Sequence, residues 1–205
     1  MIVNTMSIEE MQKEIEKDAD LLWDRTHRFV DDSKRFFLKT EIFPAYRRLE
    51  WNSPQTHTKW IICIFAMNRS YRKKTAVLHY ALYQSYGLGA VMLRLWDDMT
   101  IENITPHFFS RYNERFLKPN GINLSGIDII EYYMSHNPGS SIDYNDESKR
   151  YVSSINDGMV LGEYINGKCL QANTFVSNSM LFEAQIIKDE LRRPDLEMYN
   201  RLIGL

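Results

Sequence analysis

Apolar residues first recur at helical spacing, with Ile8, Met11, Ile15 and Leu22 following Ser7-Ile8-Glu9-Glu10, which has the spacing of a capping box. This predicts a first helix reaching about Asp24. A second helical pattern covers residues 29–49, where Phe36, Phe37, Ile42 and Tyr46 are apolar and Pro44 marks a kink or break. Asn52-Ser53-Pro54-Gln55 ends the helical part. Residues 60–67 are then apolar on both faces and rich in β-formers, as a central strand requires. After a basic turn over 68–74, residues 75–86 alternate with a period of two. Val77, His79, Ala81 and Tyr83 share one face and Leu78, Tyr80, Leu82 and Gln84 the other. Gly87-Leu88-Gly89 turns the chain into a third strand over 90–96, which completes an antiparallel meander.

Thr105 at the N-cap and Pro106 at the first helical position open a helix over 106–116. Ser125 is expected to cap another over 126–136, which Pro138-Gly139 stops. Residues 140–148 are polar and predict an exposed loop. A second meander follows over 151–155, 159–165 and 168–176. Its turns are Asn156-Asp157-Gly158 and the two-residue Asn166-Gly167, a strong type I′ signal. A closing helix over 179–191 is expected to turn Leu181, Phe182, Ile186 and Ile187 inward.

The pattern therefore predicts an α+β fold. Two three-stranded meanders join into one antiparallel sheet, with helices at the N-terminus, between the meanders and at the C-terminus, packed on one face. Residues 1–52 form an N-terminal helical region and 53–205 the α+β core, together one compact unit.

Composition narrows the function classes. The 205 residues are 44% hydrophobic and 13% aromatic, ample for one core. A net charge of −2 and a pI near 6.2 give no whole-protein attraction to nucleic acid, so any polyanion must meet a local patch. Two cysteines, Cys63 and Cys169, sit in apolar runs and are expected as buried free thiols. The longest apolar run is far too short for a bilayer and the acidic start lacks a signal-peptide pattern, so a cytoplasmic protein without membrane contact is expected.

The most suggestive chemistry lies on the 106–116 helix, where His107, Arg111 and Arg115 recur at i, i+4 and i+8. A neutral imidazole beside two guanidiniums could move a proton while the arginines hold a phosphate. The structural alternative pairs the arginines with Glu102, Glu114 or Asp128. Thr105-Pro106-His107, Arg111 and Arg115, the 126–136 helix and the hairpin closing with Asn173-Thr174-Phe175 resemble the barnase–EndoU–colicin–RelE group of metal-independent ribonucleases, its phage-associated members above all. The resemblance spans residues 104–177. It implies a toxin-like RNA phosphodiesterase with His107 as general acid or base, Arg111 and Arg115 on the phosphate and Thr174 positioning it, without cofactor or metal. A mildly acidic chain and the full meander before the helix depart from that pattern.

Arg69, Tyr71, Arg72, Lys73 and Lys74 form the densest basic segment and could lie against RNA with Tyr71 stacked on a base. Alternatively they are a solvated turn. Asp20, Asp24, His27 and Asp31 share a helical stripe, but no second helix matches them, so exposed charge is expected rather than a metal site. His79 would become a second acid–base group only if its face turned toward His107. The chain contains no P-loop, nucleophile elbow, Gly-x-Gly-x-x-Gly or His-Glu-x-x-His. The alternative to a ribonuclease is a non-enzymatic binding or assembly protein that contacts a protein partner or inhibitor.

Overall fold

In a computed structural model the described residues are 1–3, 5–84, 86–95, 99–145 and 147–203. The capping box forms as expected: Ser7 Oγ accepts from the Glu10 amide and the Glu10 carboxylate accepts from the Ser7 amide. The helix it starts does not stop near Asp24. α1 runs unbroken over Ile8–Lys39, and the second helix expected over 29–49 does not exist as a separate element. Residues 29–39 of it belong to α1, and 45–49 open strand β1, Ala45–Asn52.

β1 pairs antiparallel with β2 (Lys59–Ala66), β2 with β3 (Ala76–Gln84), β3 with β4 (Leu88–Leu95), and β4 with the short β5 (Thr100–Ile104). Helix α2 (Pro106–Tyr112) and helix α3 (Ile127–His136) follow. A second antiparallel run then forms from β6 (Ser141–Asn145), β7 (Arg150–Ile155), β8 (Gly158–Asn166) and β9 (Cys169–Ser177). Among the described residues all nine strands make one sheet in the order β1-β2-β3-β4-β5-β9-β8-β7-β6.

The expected two three-stranded antiparallel meanders are therefore corrected on two counts. Each run gains strands, and the runs join through a parallel pairing of β5 with β9, in register from Ile101 opposite Cys169 to Ile104 opposite Ala172. The sheet is mixed. The parallel step arises because the crossover through α2 and α3 brings the chain to β6 at the far edge. Three further reversals then deliver β9 to β5 in the same direction. The polar stretch expected as a loop contains β6, an edge strand whose partner is β7. Ser85 and Trp96, expected within strands, and Asp146 of that loop lie outside the described residues.

Both faces of the sheet are covered, which explains the continuous apolar run of β2. Trp60, Ile62 and Ile64 pack with Val91 and Ile101 against Ile8, Met11, Ile15, Leu22, Phe29 and Phe37 of α1. Ile61 and Phe65 pack with Leu78, Tyr80 and Met92 on the opposite face, under Phe108, Phe109 and Tyr112 of α2 and Ile130, Tyr133 and Met134 of α3. The helices thus lie on two faces rather than one. Helix α4 (Glu183–Ile203) closes beside β6 and β7, where Ser154 Oγ lies 2.6 Å from Asp189 and accepts from Arg192 Nε at 3.1 Å. The inward positions expected there are overturned: Phe182 is 76% exposed and Ile187 54%. No helix among the described residues is long and apolar enough to cross a membrane.

Candidate functional site

Thr105 caps α2 as its sequence predicts, accepting from the Phe108 amide, while its own amide and hydroxyl both donate to the Ala172 carbonyl of β9. Phe108, Tyr112, Tyr133 and Phe175 then interlock edge to face, fixing α2 against β9 and α3. With the apolar side of α2 so committed, His107 and Arg111 face outward. Arg111 Nε donates to His107 Nε2 at 3.5 Å and its Nη1 pairs with Glu114 at 2.8 Å, one of the pairings weighed from the sequence. After Tyr112 the helix widens into a π-helical turn over Asn113–Leu117. That wider turn takes Arg115 off the stripe, and its guanidinium donates to the Phe175 carbonyl at 2.5 Å.

Thr174 pairs with Leu161 next to the buried Phe175–Val160 pair. Strand alternation therefore points it to the face opposite α2. The structure brings His107 and Arg111 together and leaves Arg115 and Thr174 apart from them. His79 turns to the α1 face as well, where its Nε2 lies 2.8 Å from Thr26 Oγ1, away from His107.

The basic turn is ordered by Asn68 Oδ1, which accepts from the Ser70 amide. Tyr71 is half-buried against the α1 core, and Arg72 and Lys73 flank a small cavity of about 230 Å³ with Lys34 and Phe37 of α1. Ser125 does not cap α3; Gly126 takes the N-cap at φ 55°. Among the described residues no group of three His, Cys, Asp or Glu could hold a metal ion, and Asp31 pairs with Lys34 at 2.7 Å. Both cysteines are free.

A larger concavity lies elsewhere, between α3 and the edge of the sheet. A cleft of about 510 Å³ has β1–β3 as its floor and α3 as its wall. Cross-strand partners share a face, so Tyr46 with Phe65, and Arg48 with Cys63 and Leu78, form rows across the floor, and Tyr80 joins them. Leu124, Glu131, Tyr132 and Met134 close it from above. The His136 ring stacks on Tyr132 at 3.6 Å, and its Nδ1 lies 2.9 Å from the Tyr132 carbonyl, so that nitrogen carries the proton and donates.

One ion-pair chain ties wall to floor. Arg48 Nη2 lies 2.6 Å from Glu50 and 2.8 Å from Glu131 of α3, and Lys59 holds the second Glu50 oxygen at 2.7 Å. Burial pushes the Cys63 thiol up to about 11, which keeps it protonated at neutral pH and unsuited to nucleophilic attack. The Tyr80 hydroxyl, on a fully buried residue, has the Cys63 thiol as its polar partner. The Arg48 Nε–H is buried and makes no hydrogen bond among the described residues.

Residues of this cleft carry no motif, and β1, which supplies Tyr46 and Arg48, was expected as helix. The available signal was the period-two series Tyr46, Arg48, Glu50. Compared with family models, curated proteins and solved structures, the chain matches none.

Proposed function

We propose that this protein is a binding domain whose cleft between β1–β3 and α3 takes a small apolar molecule. The observation that carries the reading is an apolar concavity of about 510 Å³, inside the roughly 300–1,000 Å³ range of small-molecule sites, lined by a few convergent polar groups. Phe65, Met67, Leu78, Leu124 and Met134 offer the apolar surface and Tyr46 and Tyr132 the aromatic sides. The inert Cys63 thiol suits binding better than covalent chemistry.

Ser135 is exposed on α3 at the cleft, so Ser135→Trp fills it without disturbing the sheet. The neutral dye N-phenyl-1-naphthylamine should brighten on the wild-type protein and bind at least tenfold more weakly to the variant, with unchanged circular dichroism. Equal binding by both proteins refutes the reading.

The His107–Arg111 contact at the start of α2 supports a second reading, a metal-independent ribonuclease in which His107 moves the proton and Arg111 holds the phosphate. Arg115 and Thr174 would then act outside the immediate site. Total RNA incubated with the protein in EDTA should yield 2′,3′-cyclic ends, and His107→Ala should abolish cleavage. Undiminished cutting by that variant removes His107 from the chemistry.

A further inference from the structure

We infer that the end of the molecule where α1 finishes docks on an anionic lipid surface. A lipid phosphate sits among Lys34, Arg72 and Lys73, and Leu38 and Ile42 enter the acyl region. This surface is separate from the cleft between β1–β3 and α3.

The chain leaves the sheet twice at that end. β1 begins at Ala45 opposite Ala66, the last residue of β2, and β3 begins at Ala76 opposite Phe65. The connection 40–44 after α1 and the basic turn 67–75 therefore lie at the same end, with the last turns of α1 against that turn. Between helix and turn is the cavity of about 230 Å³, where Lys34, Arg72, Lys73 and Thr75 meet the apolar Phe37 and Leu38. No acidic residue lines it. Lys34 pairs with Asp31, while Arg69, Arg72, Lys73 and Lys74 make no ion pair among the described residues.

Charge and hydropathy choose the partner. Residues 34–42 and 69–74 together carry seven Lys or Arg and one acid, Glu41, in a chain of net charge −2. Cations so concentrated attract a polyanion that the chain as a whole does not. An RNA uses aromatic stacking beside its phosphates, but Tyr71, the aromatic residue of the turn, is half-buried against the α1 core. The apolar side chains exposed at this end include Leu38, 46% exposed and bordering the cavity, and Ile42, 82% exposed in the next connection. A lipid surface meets both halves of the pattern, with phosphates for the cations and hydrocarbon for the two aliphatic side chains. The cavity lies below the roughly 300–1,000 Å³ of drug-sized sites, on the scale of one headgroup phosphate. A protein that lies on a bilayer in this way needs no spanning helix.

Flotation of the full chain with vesicles tests the surface. The protein should bind phosphatidylcholine vesicles containing about one-third phosphatidylglycerol and not phosphatidylcholine alone, and binding should weaken as salt rises. Arg72→Ala combined with Lys73→Ala should weaken it at least tenfold with unchanged circular dichroism, since each cation at an anionic surface contributes roughly fivefold. Ile42→Trp should gain emission that acyl-brominated lipids quench, and Ile42→Ser should bind at least threefold more weakly. No binding to the anionic vesicles overturns the inference, as does binding unmoved by the double variant or an absence of quenching in Ile42→Trp. Displacement from vesicles by millimolar glycerol phosphate rejects the lipid surface and assigns the cavity to a free phosphate ester. Tighter binding of total RNA, weakened by the double variant and not by Ile42→Ser, rejects it in favour of nucleic acid.

Discussion

Tyr151 donates its hydroxyl to Glu102 Oε1 at 2.6 Å although β8 and β9 separate their strands. The contact is possible because the residue opposite Tyr151 on β8 is Gly162. A Cβ there would stand 2.3 Å from the Tyr151 ring and 2.0 Å from the Gln171 carbonyl oxygen. The aromatic ring uses the space that a side chain would take, and reaches a carboxylate that is fully buried and held on its other oxygen by Arg94 Nε at 2.7 Å. The ion pair and the phenol tie the β4–β5 half of the sheet to the β6–β9 half beneath α3.

Breaking that tie should be measurable from either end. Tyr151→Phe removes one hydrogen bond to a buried charge and is expected to cost about 1.5–3 kcal/mol in urea unfolding. Gly162→Ala should cost at least about 1–3 kcal/mol, because the backbone oxygen it meets cannot rotate away. A Gly162→Ala protein as stable as wild type would mean that the ring does not depend on the glycine.

Asp18 joins α1 to the β1–β2 connection in a comparable way. Its fully buried carboxylate accepts from Ser53 Oγ at 2.5 Å, Thr56 Oγ1 at 2.6 Å and the Trp60 indole N–H at 2.8 Å. Asp18→Ala takes the carboxylate from all three donors, leaving Thr56 only its 2.8 Å contact with Thr58 Oγ1, and is expected to cost about 3–5 kcal/mol, the range seen when one partner of a buried charged network is removed. Denaturant unfolding measures it. A loss below about 1 kcal/mol would show that water or rotation satisfies the three donors.

What could be read from the sequence follows the range of the force involved. The Ser7 capping box, the Thr105-Pro106 cap and the hairpin signalled by Asn166-Gly167 rest on contacts within a few residues, and each formed, the hairpin with its two-residue loop one place later, at Gly167-Lys168. β1 was hidden because its arginines and glutamate fit a solvated helix as well as an edge strand; pairing with β2 decides between them. β6 was hidden for the same reason, with β7 as its only strand neighbour among the described residues and no apolar period. The β5–β9 pairing joins residues far apart in sequence and leaves no local trace. α1 seemed to break because buried Asp18, Thr26 and Ser33 interrupt its apolar stripe; their partners lie on other elements or one turn away. The cleft draws alternate residues from three strands and one helix, so only the assembled sheet reveals it.

The buried His79 gives the fold a pH dependence of predictable sign. Thr26 Oγ1 donates to the Leu22 carbonyl at 2.7 Å, so it accepts from His79 Nε2–H at 2.8 Å, and the imidazole is neutral in that arrangement. Burial pushes its pKa down to about 4, against about 6.5 for an exposed histidine. The unfolded chain therefore takes up the proton first as the solution is acidified. Stability tied to His79 is complete above about pH 6.5 and falls as the pH drops toward 4. From those two values the loss is roughly 2 kcal/mol between pH 7 and 5, approaching about 3 kcal/mol near pH 4. His79→Gln keeps a donor for Thr26 and removes the titration. Urea unfolding of both proteins across this range should show the wild type losing ground to the variant by that amount as the pH falls. Parallel stability curves would mean that the protonated imidazole is accommodated in the native fold.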